Sequence, residues 1–394
     1  MTQIRLLPAA ASPATHALVI GVGHYRYLLG GPEQKKRVHL GLSVLESPPR
    51  SAEKFAKFLL GTDAVSGVAL SNPAAPLATL EVLISSRTPV TFTVNGQDHV
   101  AEPASSAAVG DGFDRWLAEV ESHQDNVGII YFCGHGVMGN GSQQFLLLED
   151  HGKTTNRPFE TGSFDFTSTL RALWRRVSAQ LYVFVDACRT YDAQVAGRIG
   201  QGIGPLLDEA GSTKNINLGT TWIEASGEGQ PSFGDSADVS RFMDALLRAL
   251  GGYCGAKDPA SDNWLINGEA LSQAMPKLLA QVNKERKGDV QSCSPHPSGP
   301  RDRPLHVLPG TPKVKVEIVV LTEEHQPLGV FTMNDLVRQK EPPLVGGSTR
   351  GEWLAEASRS YYRVKVQSPT NAFADYERSS EPVEPPVYRL EVPR

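Results

Sequence analysis

Apolar residues fall in four short, nearly uninterrupted runs in the first half of the chain: 16–22, 80–84, 127–132 and 181–185. A strand covered on both faces loses the in–out alternation of a half-exposed one, so such runs predict buried parallel strands. Between them the period lengthens. Residues 51–60 follow a Pro-Pro pair and set Phe55, Phe58 and Leu59 on one side, and 112–120 and 168–177 repeat the pattern. Two more amphipathic stretches cover 239–251, which ends in Gly, and 269–282, which Pro276 is expected to interrupt. Strands alternating with helices over crossovers of this length predict an α/β fold with a doubly wound sheet. Residues 62–78, 86–110 and 189–218 read as loops.

The pattern changes near residue 300. Residues 293–312 are rich in Pro and basic side chains and read as a loop or boundary. Beyond it, 314–321, 361–366 and 387–392 alternate, with few helical stretches among them. The expected division is an N-terminal extension over 1–14, an α/β domain over 15–308 and a small all-β module over 313–394, an antiparallel sandwich. At about 150 residues per domain, a chain of 394 residues accommodates this.

Composition mainly excludes. The chain is 40% hydrophobic and 21% charged, ordinary for a globular protein. Its net charge of −5 argues against a nucleic-acid or anionic-membrane partner. No apolar run reaches the length of a membrane span, and the apolar start is broken by Pro8 and Pro13, unlike a secretory leader. Four cysteines in a chain this long are no disulfide scaffold and suit a reducing, cytoplasmic setting.

The chemistry concentrates at two strand ends. One reads Ile130-Tyr131-Phe132-Cys133-Gly134-His135-Gly136, the other Phe184-Val185-Asp186-Ala187-Cys188-Arg189. In such sheets reactive residues gather at the carboxyl ends of strands. His135 and Cys188 lie 53 residues apart, room for one helix, so they are expected to end adjacent parallel strands. A Cys nucleophile and a His general acid/base meet in this way. The amides of Gly136 and Cys188 are the expected oxyanion donors. Cys133 reads as a small buried hydrophobe. Competing motifs fail: Gly21-Val22-Gly23 is followed by Arg26 where a dinucleotide fingerprint needs Gly, and Cys293 with His296 makes half a zinc site. The residues alone leave open a different thiol hydrolase or transferase, and a catalytically silent scaffold.

The segments HALVIGVGHY, SAEKFAKFL, YFCGHG, VDACR and TTWIEASGEGQPSF with SRFMDALLRAL together carry a resemblance. Over residues 15–308 the chain resembles the caspase-like cysteine peptidases of clan CD, family C14, in particular prokaryotic caspase homologues related to metacaspases. The resemblance implies the caspase-hemoglobinase fold, endopeptidase activity on protein substrates, and His135 and Cys188 as the dyad. It further implies that Asp186 lies in the S1 pocket and favours Arg or Lys at P1; classical caspases have Gln there and cut after Asp. One departure stands out. Metacaspases often carry a second acid in an Asn-Asp-Ala segment, and residues 49–52 here read Pro-Arg-Ser-Ala. Glu46 is the nearby acid expected to substitute. Residues 189–218 read as an activation loop, with Arg198 or Lys214 as self-processing points and an activating protease or regulatory protein as partner. No metal or other cofactor is expected, although many metacaspases need calcium; Glu149 and Asp150 form the acidic pair after the His strand. The family further implies a zymogen in bacterial defence or programmed cell death.

Overall fold

The four apolar runs lie in the middle of a seven-stranded sheet. A computed structural model describes residues 3–8, 12–38, 41–63, 65, 67–139, 143–188, 203–209, 219–225, 238–286, 290–321, 329–339, 342–347 and 352–392. The sheet strands are β1 (Gln3–Arg5), β2 (Thr15–Val22), β3 (Leu77–Ser85), β4 (Val127–Gly134), β5 (Gln180–Ala187), β6 (Thr220–Glu224) and β7 (Ser294–Ser298). Their order across the sheet is β1-β3-β2-β4-β5-β6-β7. Strands β2 to β6 are parallel, and β1 and β7 close the two edges antiparallel.

Both edges depart from the sequence reading. Strand β1 belongs to the stretch read as an extension, and β7 lies in the Pro-rich stretch read as a loop. Pro295 and Pro297 sit on the same side of β7, and an edge strand tolerates proline because one row of its N–H groups has no ladder partner to lose. The expected loop 86–110 holds a hairpin, Thr91–Val94 against Gln97–Val100, turned by Asn95 and Gly96 at positive φ.

Among the described residues, five α-helices flank the sheet: α1 (Ser47–Leu59), α2 (Ser106–Glu121), α3 (Phe166–Arg176), α4 (Arg241–Arg248) and α5 (Gly268–Arg286). Pro48 and Pro49 sit in the first turn of α1, where the missing N–H costs no helical bond. Ser105, Asp165 and Ser240 cap α2, α3 and α4 by accepting from backbone N–H groups three residues on. Helix α5 runs unbroken through Pro276, against expectation. Leu271, Met275, Leu278, Leu279 and Val282 all bury against one core, and that burial outweighs the roughly 3 kcal/mol cost of an interior proline.

Strand alternation sorts the side chains into two cores. Val19, Ile129, Tyr131, Tyr182 and Phe184 pack with α1, α4 and α5. Ile20, Phe132, Val183 and Val185 pack with α2 and α3. Helix α1 lies close on β2 because residue 21 is Gly: a Cβ there would stand 2.5 Å from the Ala52 Cβ.

The C-terminal strands have a core of their own, including Val316, Ile318, Phe331, Met333, Val364 and Val366. They are β8 (Lys313–Val320), β9 (Val330–Asp335), β10 (Leu344–Gly347), β11 (Glu352–Ser358), β12 (Ser360–Gln367), β13 (Tyr376–Val383) and β14 (Val387–Val392). They form a three-stranded sheet, β11-β8-β14, and a four-stranded one, β10-β9-β12-β13. The expected antiparallel pattern holds except between β8 and β14, which pair parallel. Among the described residues, no helix is long and apolar enough to cross a membrane.

Candidate active site

Strands β4 and β5 pair in parallel register, with Cys133 opposite Asp186 and Gly134 opposite Ala187. One step further sets His135 beside Cys188. Tyr131 and Cys133 on β4, and Tyr182 and Phe184 on β5, face the core under α1. By the same alternation His135, Asp186 and Cys188 belong to that side of the sheet. The structure therefore brings the two residues expected to form the dyad to one edge.

His135 is held by both its backbone and its ring. Its backbone N–H donates to the Tyr25 hydroxyl at 2.7 Å, and its ring lies against the Tyr25 ring with centroids 4.9 Å apart. Its Nε2 is 2.7 Å from the Ser43 carbonyl oxygen. A carbonyl only accepts, so Nε2 carries the hydrogen and the neutral ring keeps its lone pair on Nδ1. Burial pulls the His135 pKa down from 6.5 to about 4, against the opposing pull of the Ser43 carbonyl. At neutral pH the ring is thus unprotonated. Sequence reading missed Tyr25 and Ser43. Ser43 acts through its backbone, so its residue type carries no signal.

Cys188 is half-buried, and all four cysteines are free thiols. Its carbonyl packs on Gly136, where a Cβ would stand 2.5 Å from the Cys188 oxygen and 3.0 Å from the Ala187 Cβ. Glycine at 136 is what lets the two loops close to this distance. Gln144, on the strand that pairs with Gly136, donates to the same carbonyl from Nε2 at 3.4 Å.

Asp186 is buried, with 3% exposure. Its Oδ2 accepts from Tyr131 at 3.2 Å, from Cys133 at 3.3 Å, and from Ser240 Oγ. Burial and then the Asp186 charge push the Cys133 thiol well above its usual value. Ser240 also caps α4, and its N–H donates to Ser51 Oγ at 2.9 Å. Ser51 is fully buried and lies in the 49–52 segment that stands against the Asn-Asp-Ala pattern. Here that segment holds a hydroxyl within the Asp186 cluster.

Glu46 lies elsewhere. It pairs with Arg50 at 4.0 Å and Arg87 at 3.7 Å on the rim of a cleft of about 190 Å³ that also takes in Gly23, His24 and Leu45. Neither Asp186 nor Ser51 lines that cleft. Glu149 accepts from Ser85 Oγ at 2.9 Å, and Asp150 accepts from the Ser106 N–H and hydroxyl at 2.9 and 3.0 Å, at the start of α2. Those carboxylates are engaged by the fold, and among the described residues no three His, Cys, Asp or Glu side chains gather as a metal site. Arg198 and Lys214 lie outside the described residues.

Residues 14–285 match the caspase domain of the C14 peptidases. An uncharacterized protein of Sinorhizobium fredii, y4kE, is 29% identical over 313 residues, spanning 75% of this chain and 88% of that protein. Among solved structures, protein GSU0716 of Geobacter sulfurreducens aligns at 15% identity and a TM-score of 0.42, covering 73% of this chain and 94% of that one. Caspase-1 of Spodoptera frugiperda aligns at 11% identity and a TM-score of 0.40, covering 75% and 96%.

Proposed function

Because this chain belongs to the caspase-domain family of C14 peptidases, we propose that it is a cysteine endopeptidase cutting proteins after Arg or Lys. The observation that carries the proposal is the Ser43 carbonyl on His135 Nε2, which leaves the lone pair on Nδ1 at the edge where Cys188 follows β5. In the reaction His135 takes the Cys188 proton as sulfur attacks the peptide carbonyl. The amides of Gly136 and Cys188 receive the charge that develops on oxygen. His135 then protonates the departing amine, and the remaining thioester is hydrolysed by water with His135 again as base.

Asp186, with Ser240 and Ser51 behind it, forms the S1 floor. Its negative charge favours a cationic P1 side chain and repels Asp. Glu46 has no part in this floor, being held by Arg50 and Arg87. No step needs a metal. Proteolytic activation, in bacterial defence or programmed cell death, and a reducing cytoplasm that keeps the thiolate usable complete the reading.

Fluorogenic peptides differing only at P1 test it. Cleavage after Arg or Lys that disappears in Cys188→Ala is the expected result. Cleavage after Asp would remove the role given to Asp186. No turnover by chain nicked through limited proteolysis, with and without calcium, would favour a silent scaffold. Mass spectrometry of the active enzyme checks for breaks after Arg198 or Lys214; an intact, fully active chain excludes them as processing points.

A further inference from the structure

Helix α5 ends in three charged residues that reach in two directions. Lys284 and Glu285 face the C-terminal module. Lys284 Nζ is 3.5 Å from Glu317 on β8 and also pairs with Glu352 on β11. Glu285 receives Lys315 of β8 and, at 2.8 Å, Arg248 of α4. Burial works to raise the Glu285 pKa, but the two cations outweigh it and hold it at about 2, so these pairs are charged at neutral pH. Glu317 is itself buried, 3% exposed, and also accepts from Arg389 of β14 at 3.1 Å. A carboxylate so enclosed is costly to strip of its cations, so the seat has one favoured arrangement.

Arg286, the next residue, turns back into the peptidase domain, its side chain 14% exposed. Nη1 donates to the Val239 carbonyl at 2.9 Å, while Nη2 donates to Asp238 at 3.0 Å and Asp244 at 2.8 Å. Those three acceptors bracket Ser240, the residue that caps α4 and donates to Asp186. The turn carrying the hydroxyl of the S1 floor is fastened to the same helical turn that the module grips.

We propose that the C-terminal module is a determinant of P1 recognition: by clamping the last turn of α5 it fixes Arg286, and through Arg286 the Ser240 turn beneath Asp186. Arg286 is the positioning residue and touches no substrate. The proposal rests on the reading of Asp186 as the S1 floor. The chain of contacts is short: Lys315 to Glu285, the adjacent Arg286 to Val239, and Ser240 to Asp186.

The test uses the full-length chain and two readouts. One is kcat and KM on a peptide with Arg at P1. The other is deuterium exchange at the amides of residues 240–243, which needs no peptidase activity. Lys315→Gln is expected to raise KM about three- to tenfold with a smaller change in kcat, and to speed exchange at 240–243. Lys315→Arg, which keeps the cation, should match wild type. Arg286→Lys should show the same signature more strongly, since an ammonium cannot fork across three acceptors. Unchanged KM and exchange in folded Lys315→Gln and Arg286→Lys would overturn the coupling. Wild type that turns over no peptide, while exchange still responds to Lys315→Gln, would overturn the peptidase reading and leave the coupling standing.

Discussion

The backbone places His135 and Cys188, whereas side chains from three separate elements assemble the cluster around Asp186, the proposed S1 floor. The proposed dyad follows from the register of β4 against β5 and needs only a glycine at 136 and an acceptor at the Ser43 carbonyl. The proposed floor brings Asp186 from β5 together with Ser51 from α1 and Ser240 from the cap of α4. Ladder hydrogen bonds along two buried strands fix the first arrangement as firmly as the sheet itself. The second depends on how two helices seat on that sheet. Catalysis should therefore respond to changes at the strand ends, and specificity to changes in helix packing.

The largest effect separates the two directly. His135→Ala should lower kcat by about 10²- to 10⁴-fold while leaving the preference for Arg or Lys over Asp unchanged. The same residue sets the pH dependence. With its pKa held near 4 by burial, the ring remains an unprotonated base down to that pH. The acid limb of kcat/KM should fall near pH 4 rather than 6.5, activity being lost as pH drops through it. Stability moves in the same sense. A histidine kept neutral in the fold, with its pKa lowered from 6.5, contributes stability that is full above that value and declines as pH falls towards 4. Thermal unfolding measured across that range checks the direction. His151, buried and lowered to about 3, adds to it.

Gly136→Ala comes next. The added methyl would meet the Cys188 carbonyl at 2.5 Å, backbone that cannot swing aside as a side chain does. Displacing the nucleophile's loop by a fraction of an ångström should cost about 10² in kcat. Overpacking of this kind costs roughly 1–3 kcal/mol of stability. Alkylation of Cys188 with iodoacetamide reads the misplacement without a substrate. Retention of full kcat would show that the register alone does not hold the dyad.

Asp186→Asn addresses the floor. The amide keeps an oxygen to accept from Tyr131 and Ser240 but removes the charge. KM for a P1 Arg peptide should rise about ten- to a hundredfold, with a smaller change in kcat. If kcat fell and KM did not, Asp186 would belong with the dyad.

The same contrast decides what was legible in the sequence. The buried strands declared themselves by unbroken apolar runs, and His135 and Cys188 stood just past their ends, so their juxtaposition followed from the pattern. Tyr25 and the Ser43 carbonyl were hidden because they arrive from the loop after β2 and act on the backbone or through it. Ser240 was hidden for another reason: a serine before an amphipathic helix reads as a cap, which it is, and its second bond depends on where α4 lands. Strand β7 and the uninterrupted α5 were missed where proline was given its local meaning and the packing of an edge or a core overrode it.

The smallest expected effect tests the one acidic residue that proximity in sequence had drawn towards the pocket. Glu46 and Asp186 would act together if the loop before α1 folded over the floor. Instead Glu46 sits half-exposed between Arg50 and Arg87, and the hydroxyl of Ser51, five residues on, meets the cluster. Ion pairs this open to water are worth little, so Glu46→Ala should change kcat/KM for P1 Arg and P1 Lys peptides by less than about threefold. Its ratio between the two should also hold. Ser51→Ala, by contrast, removes the acceptor of the Ser240 N–H and should move KM further than Glu46→Ala does. If Glu46→Ala proved the more damaging of the two, the cleft beside His24 would be part of substrate recognition, and the floor would extend across the loop from α1 instead of ending at Ser51.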